Sequence, residues 1–179
     1  MAVTMEKLKG LLESQGLRYF VDPSRDALFL GITGLNGTHQ FLVLHELEGR
    51  FIQFRTLSYH SCPGHHPSLH ALLGLLAELN YRLRFVKFAR DPLDGEIVVY
   101  GDVWLMDGDL APDQFGQLIH GYMSLLDLNY SRIHATLETG VDPIDDRAEQ
   151  AVEQHERHGE HGHRGCATPP VQGLRHRWS

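Results

Sequence analysis

The stretch Val86–Glu138, VKFARDPLDGEIVVYGDVWLMDGDLAPDQFGQLIHGYMSLLDLNYSRIHATLE, decides the fold. VKFAR (Val86–Arg90) is an apolar strand, DPLDG a turn, and EIVVYGDVWLM (Glu96–Met106) a second strand, the pattern of a hairpin. After the DGDLAPD connection, Phe115, Leu118, Ile119, Tyr122, Leu125, Leu126, Ile133 and Leu137 recur along one side of a long amphipathic helix. Asp113 suits its start and Gly140 its end, by capping and by the helix dipole. No phosphate loop, nucleophile motif or acid–base pair lies in this stretch. It predicts a shape and a binding style before any reaction.

Working upstream, Thr4 is placed to cap a first helix carrying Met5, Leu8, Leu11 and Leu12, and Gly16 to end it. Strands follow at Leu17–Asp22 and Ala27–Thr33, separated by the turn PSRD. Asn36-Gly37 is the strongest local hairpin signal. HQFLVLHELEG then pairs back, and RFIQFRTLSY (Arg50–Tyr59) alternates with a break that predicts a bulge near Phe54. Pro67 suits the first turn of a middle helix, PSLHALLGLLAELNY. Its Leu69, Leu72, Leu73, Leu75, Leu76 and Leu79 make it apolar around most of its girth, so it is expected to be buried on two sides. The second side is either a second copy of the chain, with Leu69, Leu72, Leu73, Leu76 and Leu79 as the dimer surface, or the chain's own core. The expected architecture is an α+β domain over residues 1–142, an antiparallel sheet with three helices in the order α-β-β-β(β)-α-β-β-α. Residues 143–179 hold few large apolar side chains and read as a disordered tail.

Composition narrows the function classes. The chain has 179 residues, 42% of them hydrophobic, enough for one core. A formal charge of −7 and the absence of a basic stripe argue against nucleic acid. The densest basic patch, YRLRFVKFAR, alternates its charges with apolar residues as the wet side of a strand does. No window approaches the ~20 apolar residues of a membrane span. The charged first helix lacks the pattern of a signal peptide. Two cysteines, Cys62 and Cys166, offer no disulfide framework, and a cytoplasmic setting is expected.

The element order, together with VKFARDPLDGEIVVYGDVWLMDGDLAPDQFGQLI (Val86–Ile119), resembles the type III secretion chaperone-like fold and, within it, the YbjN-type family of bacterial sensory-transduction-regulator-like proteins. The carrying features are the Asp94-Gly95 turn between two strands and Leu110-x-x-x-x-Phe115 entering the last helix. The likeness covers Thr4–Gly140. It implies a small bacterial homodimer with the middle helix at or near the interface. In secretion chaperones such dimers hold an unfolded client segment on exposed apolar patches. It implies no catalytic residues.

Two clusters suit metal chemistry. His60, Cys62, His65, His66 and His70 crowd one loop, and imidazole with thiolate suits zinc or copper, yet their spacing matches no zinc motif. His155, His158, His161, His163 and Cys166 could chelate zinc, copper or nickel without a preformed site. The simpler reading of both is solvated polar chain. Ser58, Ser61 and Cys62 lie near histidines, but nothing supplies an orienting acid or an oxyanion hole. His120, His134, Asp102 and Asp107 read as surface or turn residues; Asp127, Asn129 and Arg132 are candidates for polar contacts with the sheet or a partner, the simpler reading of Arg132 being a snorkelling side chain. The reading is therefore a non-catalytic, homodimeric, chaperone-like or regulatory module that requires no cofactor and binds a protein client, with the third helix and the exposed sheet as candidate client surfaces and Phe115, Tyr122 and Trp104 as candidate contacts. A metal-binding protein using the two His/Cys clusters is the alternative.

Overall fold

A computed structural model describes residues 2–22, 24–106 and 108–144. Helix α1 spans Met5–Ser14, α2 Leu69–Arg82 and α3 Pro112–Thr139. The strands are β1 (Phe20–Asp22), β2 (Ala27–Thr33), β3 (Thr38–Glu46), β4 (Phe51–Leu57), β5 (His60–Ser61), β6 (Val86–Arg90) and β7 (Glu96–Trp104). All seven join one antiparallel sheet, with β1 at one edge, β2, β3 and β4 following, and β7 carrying β6 on its far side. The expected α+β class with three helices holds.

The local signals act largely as their chemistry requires. Thr4 accepts the Lys7 N–H at 3.2 Å and caps α1. Pro112 opens α3, and Gly140, at φ 77°, closes it in the left-handed conformation. Two expectations shift. Helix α2 begins at Leu69 rather than at Pro67, and Ser68 leaves it uncapped because its hydroxyl donates to Leu137 O at 2.6 Å. The bulge lies beyond Phe54, which keeps its pairing with Gly101. Arg55 pairs with Tyr100 and His60 with Ile97, so β4 and β5 form one line along β7 with extra residues looped out between them. Ser58, at φ 50°, occupies that bulge, and its N–H donates to Glu96 Oε1 at 2.8 Å.

Alternation sorts the side chains into two faces. Leu28, Leu30, Phe41, Val43, Ile52, Phe54, Ile97, Val99, Val86 and Phe88 point to one side and form the core with the helices. Phe54 and Tyr122 pack with ring centroids 5.3 Å apart, and Phe41 meets Tyr122 at the same distance. Gly101 makes this crowding feasible: a Cβ there would approach Phe85 to 2.9 Å and Phe54 and Tyr122 to 3.2 Å. Among the described residues no helix lies on the other face.

The edges differ too. On β6, the Asn80 side chain of α2 accepts the Phe88 N–H at 2.8 Å and donates to Phe88 O at 2.9 Å, occupying the outward backbone groups at the middle of the strand.

Candidate functional site

The helix-free face of the sheet is an ordered array of alternate residues. One row runs Phe20, Phe29, Leu42, Arg55, Tyr100, Lys87 across the strands, and a second runs Glu46, Phe51, Trp104. Phe20 is 76% exposed and Trp104 64% exposed, whereas Leu42 and Phe51 are buried beneath their neighbours. Trp104 leans on Phe51 with centroids 4.5 Å apart, and the Arg55 guanidinium lies 5.6 Å from the Tyr100 ring centre. Gln53 donates to Asp102 at 2.9 Å, and Lys87 reaches the same carboxylate at 3.8 Å. Large apolar side chains thus alternate with a few mixed charges along rows that cross the strands. Such a surface suits an extended polypeptide better than a small substrate.

On the helix side, the loop Gly34–Gly37 is latched to α3. Asp127 accepts the Leu35 and Asn36 N–H groups, each at 2.9 Å, the Asn36 side-chain amide at 3.2 Å and His39 Nε2 at 3.1 Å. These bonds, that from the Asn36 backbone foremost, hold its carboxyl at about 2, below the ordinary value. Asn36-Gly37 therefore sits within a four-residue loop closed by Thr33 and Thr38 instead of a two-residue turn, and Asn36 serves as a donor to α3. At Gly34 a Cβ would fall 2.1 Å from Asp127 Oδ1.

The residues singled out in the sequence scatter in this geometry. Phe115 and Tyr122 are fully buried in the core and present nothing to a client; of the three candidate client contacts only Trp104 is exposed. The chain's own core takes Leu72, Leu76 and Leu79, Leu69 is partly buried, and Leu73, at 46% exposed, is the candidate dimer residue turned outward. Burial on two sides is thus supplied within the chain for most of α2, by β6 and α3.

Among the described residues no three of His, Cys, Asp and Glu converge as metal ligands, so His60, Cys62, His65, His66 and His70 form no assembled centre. The Cys62 thiol is buried, which pushes its pKa up, against the pull of Arg90. His60 stacks on Tyr130 at 4.4 Å, donates to Tyr130 O at 3.2 Å, and burial lowers its pKa to about 4. That carbonyl bond, and not a bond to a serine or a thiol, is the partner of His60 Nε2. Arg132 does not snorkel: it reaches Asp142 and Glu78, tying α3 to α2. His155, His158, His161, His163 and Cys166 lie outside the described residues. Among the described residues no helix is long and apolar enough to cross a membrane.

Sequence reasoning named Trp104 and the exposed sheet but not the rows that make up its open face, and it placed Asp127 in polar contact with the sheet or a partner but missed His39 and the latch on the Gly34–Gly37 loop. The alternation of RFIQFRTLSY and EIVVYGDVW carried the first signal. The second needed a register between residues some 90 positions apart.

The crystal structure of YbjN from E. coli, described as "a putative transcription regulator", aligns with a TM-score of 0.50 at 18% identity, covering 71% of this chain and 90% of that one. A HopA1–SchA chaperone–effector complex aligns at 0.46 and 12% identity, covering 66% and 86%. No curated protein matches the chain. At these identities the likeness to YbjN shows the fold. A family model described as "putative bacterial sensory transduction regulator" matches residues 4–135, and the chain belongs to this YbjN family.

Proposed function

We propose that this chain is a non-catalytic protein–protein interaction module, regulatory or chaperone-like, that works as a homodimer and holds an extended apolar segment of a client on the helix-free face of its sheet. The observation that carries this reading is the pairing of exposed Phe20 and Trp104 with the apolar rows behind them on a face that no helix of the described residues covers. Burial of Cys62 and the tying of His60 to a backbone carbonyl favour binding over covalent chemistry. Charge points the same way: Lys87 lies 3.8 Å from Asp102, and Arg55 and Glu46 stand on the same face, so no single sign dominates the surface, as a mainly apolar client segment requires.

The test uses reduced, carboxymethylated lactalbumin, which stays unfolded, as the client. Saturable binding that Trp104→Ser and Phe20→Ser remove, and that Leu93→Ser in the β6–β7 turn leaves intact, supports the reading. Equal binding by all four proteins, or none by any, overturns it. Light scattering on the same samples reads the second part: a dimer that Leu73→Glu splits supports α2 as the interface, and a monomer of the unmodified chain removes the homodimer.

A further inference from the structure

The charges on the helix-free face are not spread evenly over its rows. The row Asp22, Ala27, Leu44, Gln53, Asp102 runs between the row that holds Trp104 and the row that holds Arg55. Asp22 is paired with Arg25 at 3.7 Å and accepts the Ser24 hydroxyl, and Asp102 is held by Gln53 and Lys87. Two charges in these rows have no oppositely charged partner among the described residues, Glu46 and Arg55. Glu46 is exposed at the end of β3. Arg55 rests over the Tyr100 ring, and none of its N–H groups meets an acceptor among the described residues.

The strand register fixes how far apart these two charges stand. Glu46 pairs with Phe51 and Leu42 with Arg55, so the two charged residues lie on neighbouring strands four positions apart along the pairing. At ~3.3 Å per residue that is roughly 13 Å along the strands. Leu44 and Gln53, both half-buried, lie between them. The next strand sets an aromatic ring level with each end, Trp104 opposite Phe51 and Tyr100 opposite Arg55. The order along the strands is thus negative, apolar, positive. An extended chain has the same repeat, because its residues i, i+2 and i+4 point to one side and span the same ~13 Å. A helix, rising ~1.5 Å per residue, would need residues about nine positions apart to do so.

We propose that this face selects extended client segments that carry a basic and an acidic residue four positions apart, with an apolar residue midway. The basic side chain meets Glu46 beside the Phe51–Trp104 pair, the apolar one sits over Leu44, and the acidic one meets the Arg55 guanidinium. This selection rests on the client reading above and gives it a charge rule. Either chain direction satisfies both pairs, so spacing and not order is what the face reads.

Blocked heptapeptides of threonine are the probes, with lysine, leucine and glutamate at the second, fourth and sixth positions. They are titrated into the full chain, and ¹H–¹⁵N spectra follow the Trp104 indole N–H. The expected result is a saturable shift, with about three- to tenfold tighter binding than a peptide bearing glutamine at both charged positions, the size of two exposed ion pairs. Moving the glutamate to the fifth position turns it to the opposite side and is expected to remove that gain. Glu46→Lys is expected to transfer the preference to a peptide with glutamate at both ends, and Arg55→Glu to one with lysine at both. Equal shifts by charged and uncharged peptides, a preference that neither substitution moves, or no shift by any peptide while carboxymethylated lactalbumin binds each overturns the charge rule and leaves the client reading standing. Loss of both peptide and lactalbumin binding removes the two together.

Discussion

The two faces of the sheet are made from the same strands with opposite results. On the helix side, Phe41, Phe54 and Ile52 are wholly buried and locked against Tyr122 and its neighbours. On the other, Phe20 and Trp104 stand largely in water although they follow the same alternation and the same composition. Hydrophobicity alone therefore does not decide what is core. The supply of helices does: three amphipathic helices cover one face, and within the described residues none remains for the other.

That contrast can be broken most directly at Phe54. Phe54→Ala on the covered face is expected to cost about 3–5 kcal/mol in denaturant unfolding. A loss below about 1 kcal/mol would mean that the covered face is not packed as a core. Gly34→Ala comes next. Its methyl group meets the Asp127 carboxylate and is expected to cost about 1–3 kcal/mol. Loss of the Asn36 amide's protection from hydrogen exchange would place the damage at the latch, and unchanged exchange there would remove the latch from the account.

The pH dependence sharpens the comparison, because the titrating groups of interest sit on the covered side. His60 is held neutral by burial, its pKa lowered from 6.5 to about 4. Its folded pKa lies below the unfolded one, so its contribution is complete above pH 6.5 and is lost as the pH falls towards 4. His60→Phe is expected to flatten the stability profile in that window. An unchanged slope would assign it to other groups. Asp127, depressed from 3.8 to about 2, adds a separate loss only below pH 3.8.

The smallest effect belongs to the open face. Trp104→Ser and Phe20→Ser are each expected to change folding stability by no more than about 0.5 kcal/mol while removing client binding. A large stability loss would make the open face a second core and close the contrast from the other side.

Much of the fold was legible in the sequence. The ranges of β2 and β6 follow directly from the apolar runs ALFLGIT and VKFAR, and α1 and α3 from caps and periodicity. β5 was not legible, since two residues carry no period. The site was legible only in pieces. Alternation marks Trp104 as one of two possible sides of a strand, and only the placement of helices chooses between them. Phe115 and Tyr122 show the converse: an aromatic stripe on a long helix fits either core or binding surface, and the tight packing admitted by Gly101 settles it as core. Asp127 is marked in its own segment only as a polar residue facing the sheet or a partner and His39 not at all, and their chemistry arises when the β2–β3 loop folds back on α3.

The amide of Asn80 has a further consequence for how copies of the chain can add to one another. Sheets extend by recruiting a strand at an edge, and a molecule with two free edges can polymerise without limit. With Phe88 already engaged, elongation through β6 is terminated inside each molecule. A strand that joins this sheet edge-on must therefore do so at a strand other than β6.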